Sequence, residues 1–212
     1  MLQPTQLSSA APRPFSRRRL LVVEGNDESR FFTALARHLD IGEFDTHDMR
    51  GRYDWPAKMK AVVRTPGFER VEKLGLVRDA DDDPAGAFQS VCTALSAADL
   101  PVPPAPLASA VGAIAVSVLI IPGDNEPGCL EDLCLRTVST DPIMACIDGL
   151  VSCVERNASE MPDHLSKARL QTFIALKPGR CKLLGEAADA QYWAWGHESL
   201  VLVCDFLRSL LA

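Results

Sequence analysis

Apolar residues fall along this chain in short blocks separated by polar and turn-forming stretches. Arg18–Gly25 (RRLLVVEG) is a continuous apolar run closed by glycine. A run that is apolar on both sides of the pleat predicts a buried parallel strand. In Asp27–Leu39, Phe31, Phe32, Leu35 and Leu39 recur at helical spacing, so a helix follows. Phe44–Met49 predicts a second strand. Trp55–Arg64 predicts a helix with Pro56 in its first turn, where a missing N–H is tolerated. Lys73–Asp79 (KLGLVRD) predicts a third strand, closed by the acidic turn Ala80–Pro84, and Ala85–Ala97 a helix. The prolines within Asp99–Pro106 mark a loop. Val111–Ile121 predicts a fully buried fourth strand ending at Pro122-Gly123, and Leu130–Val138 a short helix. Beyond that, Asp141–Glu155, Pro162–Lys177 and His197–Leu211 have helical spacing, and no further strand is expected.

Strands and helices thus alternate and then give way to helices alone. That order predicts an α/β fold: a parallel four-stranded sheet flanked by helices, with a C-terminal helical extension. Residues 1–16, rich in Pro, Ser, Gln and Ala, are expected to be a flexible lead-in. Residues 17–138 would form the core, and residues 139–212 a helical part packed on it.

Composition adds limits. A chain of 212 residues buries enough surface to fold without disulfides or structural metals. Aromatic residues are only 6% of it, so the core must rest on Leu, Val, Ile and Ala. A net charge of -6 excludes a uniformly basic nucleic-acid binder. It leaves room for a local basic patch, and Arg17–Arg19, Arg50, Arg52, Lys58, Lys60 and Arg64 are the densest candidates. The seven cysteines are odd in number and show no C-x-x-C spacing, which points to buried, reduced thiols. Ala108–Ile121, the longest apolar run, is too short to cross a bilayer. The N-terminus lacks the charged-then-apolar order of a signal peptide, so a cytoplasmic location without membrane contact is expected.

The chemistry gathers at predicted strand ends, where parallel α/β sheets place their ligands. Glu24 ends the first strand. Asp79, Asp81, Asp82 and Asp83 end the third. Asp124, Glu126, Glu131 and Asp132 follow the fourth. In a D-x-D turn, Asp79 and Asp81 point to one side and can share a hard divalent cation, with Glu24 as a third oxygen donor from the next strand. Mg²⁺ favours this kind of set, a few carboxylates completed by water and phosphate. The same acids also fit a solvated loop, and Asp27 and Glu28 also fit a helix cap and a complement to the helix dipole.

The stretches LLVVEGNDE (Leu20–Glu28) and GLVRDADDD (Gly75–Asp83) together resemble the TOPRIM fold of topoisomerases, primases and OLD-family nucleases. PGDNEPGCLEDL (Pro122–Leu133), with GRYDWPAKMK, KARLQTFIAL and LGEAADAQYWAW, is similar to the small stand-alone proteins of the DUF3226 type, related to OLD nucleases. The resemblance implies a TOPRIM-like core over residues 17–138 and a Mg²⁺- or Mn²⁺-dependent nuclease acting on DNA or RNA in phage defence or DNA repair. Glu24, Asp79 and Asp81 would be catalytic and metal-binding. Asp27 or Glu28, Asp83, Glu131 and Asp132 would be further metal ligands, and Lys167 a residue near the phosphate. No P-loop is present, and neither Tyr53 nor Tyr192 lies in a domain that would serve strand passage. A non-catalytic metal- or nucleotide-binding subunit, partnered by an ATPase in trans or by further copies of itself, is the alternative. A D-x-D glycosyltransferase would explain Asp79 and Asp81 but leave Glu24 and the L-E-D-L segment without a role.

Overall fold

The computed structural model describes residues 13–211. Its sheet has five strands in the order β2-β1-β3-β5-β4. They are β1 (Arg19–Val23), β2 (Asp45–Asp48), β3 (Lys73–Asp79), β4 (Ser109–Val111) and β5 (Ala115–Ile121). β1, β2, β3 and β5 run parallel; β4 is antiparallel to β5. The sheet is therefore mixed and five-stranded, not the parallel four-stranded sheet expected from sequence. The reason lies in the apolar stretch read as one strand over Val111–Ile121. Its first residue, Val111, ends β4, and the chain turns at Gly112, whose N–H donates to the Ile114 carbonyl at 3.1 Å, so that β5 pairs back on Ser109–Val111 as a hairpin. The three-residue β4 has too few positions to show a period of its own.

Alternation along the central strands fills two cores. Leu20, Val22, Leu74 and Leu76 point toward α2 (Trp55–Val63) and α3 (Pro84–Ala97), where Trp55, Met59, Val91 and Leu95 bury against them. Leu21, Val23 and Val77 point the other way, toward α1 (Asn26–His38). The same face carries α4 (Leu130–Thr137), α5 (Pro142–Asn157), α6 (Leu165–Leu176), α7 (Leu184–Asp189) and α8 (Val201–Leu211). The six-residue α7 is too short to show helical periodicity, and sequence reading left it out. Trp193 and Trp195 are buried, with Trp195 against Phe31 and Trp193 stacked on Phe173, so they anchor the late helices.

Most of the expected lead-in, residues 1–12, lies outside the described residues. Its end is packed: Phe15 is buried, and its N–H donates to the Pro66 carbonyl at 2.8 Å. All seven cysteines are free, but Cys146 and Cys153 on α5 are exposed rather than buried. Among the described residues no helix is long and apolar enough to cross a membrane.

Candidate metal centre

Because β1 and β3 are parallel neighbours, their carboxyl ends open on one edge of the sheet. Glu24 directly follows β1, and Asp79 is the last residue of β3. The start of α1 returns Glu28 to the Glu24-Gly25 turn. A side chain at Gly25 would bring its Cβ to 3.0 Å from Glu28 Oε2, so glycine is what lets that carboxylate lie over the turn. The first turn of α4 adds Glu131, and the Leu130 N–H donates to Asp79 Oδ1 at 3.1 Å. Asp81 has a left-handed backbone (φ 48°). Its N–H and carbonyl pair with Gly128 at 2.9 and 2.7 Å, which ties the D-x-D turn to the loop ahead of α4.

Burial and neighbouring charge raise three of these acids. The Asp79 carboxyl is held well above the usual range, first by burial and then by the charges of Glu28, Glu24, Glu131 and Asp81. Glu28 is pushed up to about 7, again chiefly by burial, with Glu24, Glu131 and Asp27 adding to the effect. Glu24 is raised as well, because burial outweighs the attraction of Arg78. Arg78 Nε lies 3.4 Å from Glu24 Oε1, yet both atoms are buried without a hydrogen bond. The remaining Arg78 nitrogens donate to Ser90 Oγ at 2.6 Å and the Arg52 carbonyl at 3.5 Å, and the guanidinium lies 5.3 Å from the Trp55 ring centroid.

Hard carboxylate oxygens make up this donor set, which suits Mg²⁺ or Mn²⁺. Among the described residues no three acidic, His or Cys side chains converge on one point as they stand. Asp81 is instead turned onto Arg52 Nη1 at 3.0 Å. Glu24 Oε1 has no hydrogen bond beside its 3.4 Å ion pair with Arg78, and a divalent cation would satisfy it and relieve the crowding around Asp79, so the donor chemistry fits such an ion. The centre opens on a cleft of about 780 Å³ in whose lining acids and bases are intermixed: Asp79, Asp81 and Glu131 stand beside Arg52, which pairs with Asp81, Arg136, on the same helix as Glu131, and Lys167.

The sequence model of a family described as "Protein of unknown function (DUF3226)" matches residues 18–212. The chain belongs to that family. This DUF3226 protein is similar in structure to a hypothetical protein from Pyrococcus horikoshii OT3, at 18% identity and a TM-score of 0.59 over 92% of this chain and 95% of that one. It is also similar to the C-terminal region of the Xanthomonas campestris pv. campestris OLD protein, at 13% identity and a TM-score of 0.53 over 93% and 97%. A third likeness is to the C-terminal region of the Burkholderia pseudomallei OLD protein, at 14% identity and a TM-score of 0.50 over 93% and 100%. At such identities the likeness shows a shared fold. Comparison with curated proteins gave no match.

Several acids expected to bind metal in the DUF3226 chain hold the fold together. Asp27 Oδ1 accepts from the Gly185 N–H at 3.0 Å, in the first turn of α7. Asp83 caps α3 by accepting from the Gly86 N–H at 2.9 Å. Asp132 accepts from the Cys129 N–H at 3.0 Å and from Ser166 Oγ, joining α4 to α6. Replacing Asp132 with alanine should lower stability by about 1–3 kcal/mol, read as the urea midpoint, because it removes a cap and an interhelical bond together. Lys167 is exposed on α6 at the cleft and makes no ion pair among the described residues.

Three arginines escaped the sequence reading: Arg78 beside Glu24, and Arg136 and Arg169 in the cleft wall. Arg136 and Arg169 pair with Glu126 and Asp148. Period-two alternation places Arg78 after Leu74 and Leu76, on the side that Glu24 continues after Leu20 and Val22, and that signal was available. Of the basic run around α2, only Arg52 reaches the cleft; Lys58 is tied to the carbonyls of Arg50 and Gly51 at 3.4 and 3.3 Å.

Glu28 also sets a pH dependence. Its folded value of about 7 lies above the ordinary 4.5, so the folded state favours the protonated form. Its stabilising effect is full below the ordinary value and is lost as pH rises through about 7. In EDTA, the thermal midpoint should therefore fall between pH 5 and pH 8, with Glu28→Gln flattening the fall. Added Mn²⁺ should restore more stability at pH 8 than at pH 6, because metal binding competes with that proton.

Proposed function

We propose that this protein is a TOPRIM-like, metal-dependent nuclease that hydrolyses phosphodiester bonds of DNA or RNA with Mg²⁺ or Mn²⁺. The observation that carries the reading is geometric: the parallel strands β1 and β3 end at Glu24 and Asp79 on one sheet edge, the first turns of α1 and α4 bring Glu28 and Glu131 there, and Asp79, Asp81 and Glu131 line a cleft that also holds Arg52, Arg136 and Lys167. A shared fold with the C-terminal regions of OLD proteins supports it.

Glu24, Asp79, Asp81 and Glu131 would hold the ions, which when bound supply Lewis acidity and a more acidic water. The residues of the chain do the rest. The α4 N-terminus fixes the Asp79 carboxylate through the Leu130 N–H. Glu28, which holds its proton up to about 7, would release it when a cation binds nearby, which would make the site sensitive to pH. Lys167, exposed in the cleft, would draw the phosphate backbone toward the acids that otherwise repel it, with Arg136 joining on release from Glu126.

The test is cleavage of labelled single- and double-stranded DNA and RNA by the full chain in Mg²⁺, Mn²⁺ or EDTA. We expect cleavage in at least one metal and none in EDTA. Glu24→Gln and Glu131→Gln should each slow it by about tenfold or more. Cleavage that persists in EDTA, or the lack of any cleavage across the four substrates and two metals, overturns the proposal.

A further inference from the structure

The loop between β2 and α2 is held more firmly than its exposure requires. Arg50, Gly51 and Asp54 take left-handed backbone angles, φ 53°, 99° and 56°. The Gly51 N–H donates to the carbonyl of Glu24 at 2.8 Å, so the loop is anchored on the metal centre itself. Trp55 Nε1 donates to the Gly51 carbonyl at 3.3 Å, and Arg78 Nη2 to the Arg52 carbonyl at 3.5 Å. This scaffold displays Tyr53, which is 72% exposed and contributes nothing to either core. The Arg52 guanidinium lies 5.2 Å from the Tyr53 ring centroid, and its Nη2 donates to the Tyr53 hydroxyl at 3.2 Å. A second cavity, about 320 Å³, lies between Tyr53, Arg78, Ala80 and Asp83, and Arg52, Asp81 and Asp82 line both this cavity and the larger cleft.

We infer that Arg52 and Tyr53 form a clamp for one nucleotide of an unpaired strand. Tyr53 stacks the base in the smaller cavity while Arg52, exchanging its present partner Asp81 at 3.0 Å, takes the adjoining phosphate at the edge of the metal cleft. This rests on the nuclease reading and names the substrate form it implies. An aromatic ring stacks any base, because every base has a π-face, so the clamp gives no sequence preference. Inside a duplex those faces are covered by neighbouring bases, so the clamp requires an unpaired or frayed strand. A planar guanidinium suits both tasks, since it stacks on rings and pairs with phosphate oxygens. The anchored loop keeps the two side chains at a fixed offset from Glu24, so the ordering cost of binding is reduced.

The experiment is fluorescence anisotropy in Ca²⁺ with the full chain and four labelled probes of one length: oligothymidylate, its RNA counterpart, a blunt DNA duplex and a strand of abasic residues. Cleavage of the first three in Mn²⁺ is followed in parallel. Wild type should bind single strands about tenfold more tightly than the duplex, and Tyr53→Ala should lose about tenfold on single strands. Tyr53→Phe and Tyr53→Trp should retain binding. On the abasic strand, wild type and Tyr53→Ala should bind alike, an equality that a merely structural role for Tyr53 does not produce. DNA and RNA probes separate the two sources of unpaired strand. A Tyr53→Ala protein that binds single strands like wild type, or that loses equally on the abasic strand, overturns the clamp. If wild type still cuts in that case, the nuclease reading stands. Wild type that neither binds nor cuts any probe overturns both.

Discussion

Asp79→Asn should lower metal-dependent cleavage by about 10³-fold or more, a loss of about 4 kcal/mol of transition-state stabilisation, and should also raise the thermal midpoint in EDTA by a few degrees. The two effects share one cause. Without metal, Asp79 is a buried carboxylate among Glu28, Glu24, Glu131 and Asp81, and all of them raise its proton affinity. Asparagine has nearly the same shape, and its carbonyl still accepts from the Leu130 N–H, so the α4 contact survives. The substitution removes the ionisable group and exchanges one acceptor oxygen for an NH₂ donor. In EDTA at pH 8 that relieves repulsion; in Mn²⁺ it removes a hard anionic donor and, with it, the stabilisation metal gives. Asp132→Asn makes the contrast. Asp132 is satisfied by Cys129 and Ser166, so its loss should weaken the fold in EDTA and metal alike. Thermal unfolding of both variants with and without Mn²⁺, beside a cleavage assay, separates the roles. An Asp79→Asn protein that cuts like wild type, or that is less stable than wild type in EDTA, removes Asp79 from the centre.

That contrast also shows how far sequence reading reached. β1 and β3 were legible because RLLVV and KLGLVRD are apolar on both faces, as only interior strands of a covered sheet are. Their parallel pairing then places Glu24 and Asp79 on one edge. Which acids face the centre was not legible. Asp83, Asp132 and Asp27 are open in one dimension because a helix cap and a metal ligand call for the same side chain in the same kind of turn. The structure gives each a backbone partner, the N–H groups of Gly86, Cys129 and Gly185, while Asp132 also lines the cleft. The cations of the cleft were hidden for another reason. Lys167 comes from α6, which sequence order places far from the strands, and only packing brings it into the cleft that Asp79 lines.

Gly75→Val should destabilise the protein by about 3 kcal/mol, or about 6–12 °C in thermal midpoint at this chain length, while leaving the chemistry intact. Gly75 lies in the middle of β3, paired with Leu21 on one side and Ser117 on the other. A Cβ there would come within 2.9 Å of Leu210 Cδ2, 3.0 Å of Phe206 Cζ and 3.1 Å of Leu21 Cδ1. The missing side chain is thus what allows α8 to settle on the centre of the sheet, with Phe206, Leu207 and Leu210 buried above it. Alanine meets only the ends of flexible side chains and should cost about 1 kcal/mol. Valine adds two methyl groups that those ends cannot avoid together, so α8 must lift. The strand itself need not move, because valine suits a β conformation better than glycine does. Asp79, four residues on, then keeps its place, and cleavage measured well below the lowered midpoint should stay near the wild-type rate. A valine variant as stable as wild type means that α8 does not pack over β3. A stable valine variant without activity means that the position of Asp79 depends on α8 as well as on its own strand.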